Sequence, residues 1–173
     1  MFMERGLKIS AKSVIIALFL GLLVNVVYYI SLAAINIYTS VILLAFIVLL
    51  IKNFKKVEGI KFIIYFALFN LGTLTLFTFS KGITISAVFI FLINAIILLL
   101  IVIGLKRLKM WGVYLTIAGI LVSIIRLGKI LISLQTWRWL PYDFLISNSL
   151  AAVFFIIALI YIITIRKHLI KRR

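Results

Sequence analysis

The chain has no cysteine, one histidine and three acidic residues among 173. Without thiols there are no disulfides, no thiolate metal sites and no cysteine nucleophile, and the redox compartment is left open. The histidine, His168, belongs to a basic tail, and the acids Glu4, Glu58 and Asp143 are widely separated along the chain. Metal-dependent hydrolysis, carboxylate-pair catalysis and Ser/His/Asp chemistry each need several such groups converging on one point. This composition argues against an enzyme and against a metal or other cofactor.

Apolar surface is what the chain has in excess. Its residues are 66% hydrophobic and 13% charged, with a mean hydropathy of +1.37. An ordinary soluble domain is roughly 45–50% apolar and about 25% charged. So short a chain cannot enlarge a core enough to hide the surplus, which has to face lipid tails. We read an all-α integral membrane protein.

The charges punctuate the chain into spans. A helix needs about 20 apolar residues to cross a bilayer. Residues 13–51 carry no charge, close to twice that length, and divide into spans 14–31 and 35–51 with a turn near Ala33 to Asn36. Spans 60–79 and 83–103 follow, joined by the tight Ser80-Lys81-Gly82 connection, in which a glycine meets the backbone demands of a short turn. The fifth covers 111–132, and the sixth 144–165, beyond the only proline, Pro141. The expected architecture is a single membrane domain, 1–173: a six-transmembrane-helix bundle built from three helical hairpins. No hydrophilic insert, low-complexity segment or residue-level repeat interrupts it.

Basic residues orient the spans, because cytoplasmic loops retain Lys and Arg. Of the 19 cations all but Lys81, Arg126, Lys129 and Arg138 fall in the amino-terminal segment, in the second and fourth connections, or in the carboxyl-terminal tail. Both termini are therefore expected in the cytoplasm, with the protein in the cell (plasma) membrane. Trp111 and Tyr161 near the inner interface, and Trp137, Trp139 and Tyr142 near the outer one, suit the places where amphipathic rings settle. The first apolar run, about 17 residues, is long for a signal-peptide core, so it is read as a retained span. The net charge of +16 is spread over short loops rather than gathered on one binding face, which speaks against nucleic acid. The tail is free to lie against anionic headgroups.

Polar groups inside the spans are few and informative, since a helix-to-helix hydrogen bond offsets their cost in lipid. Asn25, Asn70 and Asn94 stand out, with Asn70 and Asn94 roughly at the midplane by helical rise. In the first span Ala17, Gly21 and Asn25 form a small-xxx-small face. These asparagines either join packed helices or line a polar cavity.

In the fifth span Gly112, Thr116, Gly119, Ser123, Arg126 and Ile130 share a face roughly 80° wide. Arg126 is accordingly expected to turn toward other helices. Lys129, one turn further on, can snorkel to the interface. Asp143 opens the sixth span on a face shared with Ser147, Ala151, Phe154 and Ala158, and approaches both cations. One acid facing two cations leaves positive charge that binds an anionic lipid or small molecule, or else forms a structural ion pair.

The spans contain no interior carboxylate, which disfavours ion-coupled transport and cation pumping, and two cations are too few for voltage sensing. The expected function is a non-enzymatic transport or ligand-binding membrane component using the polar and cationic locus Arg126, Lys129, Asp143, Asn25, Asn70 and Asn94. The alternative is a scaffold or accessory subunit that binds partner membrane subunits and no ligand of its own. Six short helices and a small-residue first span resemble the substrate-binding subunits of energy-coupling-factor importers, which implies a membrane-embedded recognition subunit. The long outer loop that often closes their ligand site has no counterpart here.

Overall fold

The computed structural model describes residues 7–79, 84–134 and 142–171, and these form six α-helices and one short 3-10 turn. The helices are α1 (Ala11–Ile30), α2 (Leu32–Lys52), α3 (Ile60–Phe79), α4 (Ile85–Lys106), α5 (Met110–Leu134) and α6 (Tyr142–Lys171), with the 3-10 turn at Val57–Gly59 before α3. Among the described residues there is no strand. Five helices carry segments long and apolar enough to cross a membrane: Ala34–Lys52, Val57–Leu74, Ile85–Lys106, Met110–Lys129 and Phe144–Arg166. In α1 the corresponding apolar stretch is shorter, Ala11–Val24. Helix continues past the apolar runs into charged ends, taking in Lys52, Lys106 and the stretch from Arg166 to Lys171. Cations there suit the negative end of the helix dipole.

Side-chain and backbone caps set the breaks. Ser31 alone separates α1 from α2: its N–H donates to Val27 O at the end of one helix, while its Oγ accepts from Ala34 N at the start of the next. The chain reverses there, since the Tyr38 hydroxyl reaches back to donate to Leu20 O at 2.9 Å. At the start of α4, Thr84 Oγ1 accepts from Ala87 N. The turn from α4 to α5 is closed by Leu108 N donating to Leu105 O and Lys109 N donating to Gly104 O. This is a Schellman arrangement, but with Leu108 in the left-handed region at φ 52°.

Pairing along the chain is not only between neighbours. Helix α1 packs most extensively on α3, and α2 on α6. Between α1 and α3 the backbones touch: a Cβ on Gly72 would sit 2.8 Å from Leu18 O and 2.9 Å from Gly21 Cα, and one on Gly21 would collide with Phe69 O. In lipid, helix association rests on such close van der Waals approach rather than on a hydrophobic force.

The core gathers where the basic segments gather. Phe46, Phe66, Phe69, Phe154 and Phe155 interlock α2, α3 and α6, with the Phe66 and Phe154 rings 4.1 Å apart and Phe46 edge-on to Phe66 at 5.5 Å. Aromatic pairs of this kind add roughly 0.5–1.5 kcal/mol each. Nearer the basic loops, fully buried Tyr161 donates to Lys56 O at 2.7 Å and meets Phe54 edge-on. The Arg166 guanidinium stacks over the Tyr114 ring at 4.9 Å, and Leu7 N donates to Lys106 O. These contacts bring residue 7, the 53–59 connection, the α4–α5 turn and the last turns of α6 to one end of the bundle, the basic end.

Packing thins away from that end. Among the described hydrophobic residues, only Val24, Ile35 and Phe154 of the buried set lie in the half of their helix far from the basic end.

Candidate functional site

The far half of the bundle carries polar side chains on faces that the phenyl layer occupies nearer the basic end. Helical positions seven apart share a face two turns on. Seven residues before Phe46 stands Thr39; seven after Phe66, Thr73; seven before Phe154, Ser147. Three phenyl positions are thus repeated as three hydroxyls about 10 Å further along the bundle. Asn36 and Ser40 on α2, Asn70 on α3, Ser123 on α5 and Asn148 on α6 belong to the same half, and all eight residues are half-buried.

Most of these groups are satisfied within their own helix. Asn70 donates to Phe66 O at 3.0 Å, Asn148 to Phe144 O at 2.8 Å, Ser123 to Gly119 O at 2.8 Å and Thr73 to Asn70 O at 2.8 Å. A bond between helices joins Thr39 Oγ1 and Ser147 Oγ, 3.1 Å apart. Thr39 Oγ1 also lies 2.8 Å from Ile35 O and 3.1 Å from Asn36 O, and either hydroxyl can donate to the other. Each asparagine that donates its amide to its own helix keeps its carbonyl oxygen and second N–H for another partner. The layer can therefore hold neutral polar or anionic groups by hydrogen bonds. It offers no described acid or imidazole for proton transfer, and no cluster of metal-ligating side chains occurs among the described residues.

The described residues singled out from sequence do not all lie in this layer. Asn70 lies in this layer, one turn beyond Phe66 on the same face. Asn94, on α4, is exposed, its amide donating only to Ile90 O at 2.8 Å. The side chains of Asn25 and Asp143 lie outside the described residues, and so does the expected approach of Asp143 to the two cations. Arg126 and Lys129 are both exposed on α5, without a hydrogen bond or ion pair among the described residues. The inward direction expected for Arg126 is thus corrected. Its stripe is buried at Gly112 and at Thr116, which is 3% exposed; it is half-buried at Gly119 and Ser123, and open at Arg126. The face is as the helical angle predicts, but the neighbour it faces draws away.

Thr39, Asn36, Thr73 and Asn148 were not distinguished by sequence. The signal that finds Thr39 and Thr73 is the seven-residue echo of Phe46 and Phe66, and it appears only once the phenylalanines are known to meet; Asn36 and Asn148 carry no such signal.

Comparisons with protein-family models, with curated proteins and with solved structures yield no significant match. The chain is a multi-pass helical membrane protein.

Proposed function

We propose that the chain crosses the membrane six times, with both termini and the basic loops on the cytoplasmic face of the cell membrane. It acts there as a non-enzymatic ligand-binding or transport component whose ligand contacts the polar layer of the far half. The observation that supports this is the packing asymmetry. Phenyl rings and Tyr161 seal the basic end, while hydroxyls and amides lie half-buried beyond them. A bundle plugged at one end and polar and loosely packed toward the other suits a binding protein open to one side, and does not suit a continuous pore.

Native freedom from cysteine makes the test direct. Thr39→Cys and Asn148→Cys are expected to react with a membrane-impermeant maleimide added outside intact cells, and Phe46→Cys to stay unlabelled. Equal protection of all three positions would sink the reading. A second reading, an accessory subunit of a membrane complex, is favoured by one observation, the exposure of Asn94 and Arg126 within membrane-spanning helices. Stoichiometric co-purification of another membrane protein, lost on Asn94→Leu, would favour it over ligand binding.

A further inference from the structure

The seam between α4 and α5 opens into a cleft, and its walls carry the exposed Asn94 and Arg126 in the far halves of these two helices. At the turn the two backbones are in contact, a Cβ on Gly104 falling 2.5 Å from Gly112 Cα. Two turns further, Gly119 and the Ile101 side chain still meet at ordinary van der Waals distance, 3.5 Å. Seven residues on along each helix, the same faces present Asn94 (Ile101 minus seven) and Arg126 (Gly119 plus seven). Each lies about 10 Å along its own helix beyond that contact. Had the helices stayed parallel both would be buried as Ile101 is, yet both are exposed.

Polarity along this cleft runs in a definite order. Its closed end is apolar, walled by Ile101, Ile97 and Val122. Asn94 and Arg126 follow, and Lys129 comes one turn later, where the apolar segment of α5 ends. No described carboxylate lies in this half, and neither cation has a partner among the described residues. The long Arg126 side chain can carry its guanidinium toward the headgroup region, and guanidinium binds phosphate oxygens in pairs.

We propose that this cleft is a site for one anionic phospholipid of the leaflet nearer Leu134. The acyl chain lies in the apolar end, the ester region meets the Asn94 amide, and the phosphate is held by Arg126 and Lys129. A partner helix is the weaker occupant, because it would have to bring a buried carboxylate to Arg126, whereas a phospholipid already has apolar and anionic parts in the order the walls require. The site does not depend on the polar layer, since Thr39, Thr73 and Ser147 take no part in it.

The test is native mass spectrometry of the full chain released from detergent with phosphatidylglycerol, phosphatidylcholine or inorganic phosphate. The expected result is one retained phosphatidylglycerol per chain, preferred over phosphatidylcholine by about fivefold or more, with Arg126→Gln lowering retention by about fivefold. Val122→Trp, which fills the cleft and leaves its charge unchanged, should lower it as well; both positions are exposed, so neither variant disturbs packing. Equal retention of the two lipids, indifference to both variants, displacement by inorganic phosphate as effective as by phosphatidylglycerol, or a second protein chain in place of lipid would each overturn the proposal.

Discussion

A glycine in this bundle is either indispensable or idle, depending on what its missing Cβ would touch. Gly21 faces the α3 backbone, where an added methyl collides with Phe69 O, a group that cannot swing aside. Gly128 faces open space. Overpacking costs roughly 1–3 kcal/mol, whereas Gly to Ala in an unhindered helix gains up to about 1 kcal/mol. Gly21→Ala should therefore lower the thermal midpoint of the purified protein, and Gly128→Ala should leave it unchanged or raise it. A common response would mean that α1 and α3 do not approach so closely. The small-xxx-small pattern of Ala17 and Gly21 is visible in sequence, but its partner, Gly72, lies 51 residues beyond Gly21 in a helix that no local pattern connects to it. Arg126 shows the same limit differently. Angular phase is a property of one helix and was legible; distance to a neighbouring helix is a property of two and was not.

Among the elements, the α4–α5 turn is built against the preference of its own residue. A helix that ends with a residue at positive φ ordinarily uses glycine there, and other residues lose roughly 1–2 kcal/mol. Leu108 occupies that place at φ 52° and is partly buried against the core. Its side-chain packing offsets the strain. Leu108→Ala and Leu108→Gly both lose the packing, but only glycine also relieves the backbone. The glycine variant should be the more stable of the two by about 1 kcal/mol in denaturant or thermal unfolding. Equality would show that the turn relaxes out of the left-handed region when the leucine is removed. Nothing in Lys106-Arg107-Leu108-Lys109 announces this geometry, because the usual signal is the glycine that is absent. The existence of the helices, by contrast, follows from long apolar runs divided by cations.

For the molecule as a whole, the basic segments occupy one end, and the sidedness proposed for them rests on the retention of Lys and Arg on the cytoplasmic face. Thr84→Cys, at the far end of α4, is expected to label from outside intact cells. Lys55→Cys, in the connection beneath Tyr161, is expected to label only after permeabilisation. The reverse pattern would invert the topology without changing the fold. Composition made the membrane class evident, and Lys and Arg spacing divided the spans. The order of helices around the bundle was beyond reach, because a lipid-facing and a helix-facing leucine are chemically alike, so an apolar run does not reveal its neighbours. Only the sparse polar positions mark the interior, and here Thr39 and Ser147 mark it more faithfully than the more conspicuous Asn94.

The bond from Leu7 N to Lys106 O also bears on how the chain is made. The amino-terminal segment leaves the ribosome first, yet its docking partner is synthesised almost a hundred residues afterwards, a delay of about 5–20 s at ordinary elongation rates. Helix α1 likewise waits for Gly72 before its tightest interface exists. Throughout that interval the first hairpin must survive in the translocon or the surrounding lipid on its own contacts, the Ser31 hinge and the Tyr38 tether among them. Its beginning is thus among the last parts of the protein to be locked in place.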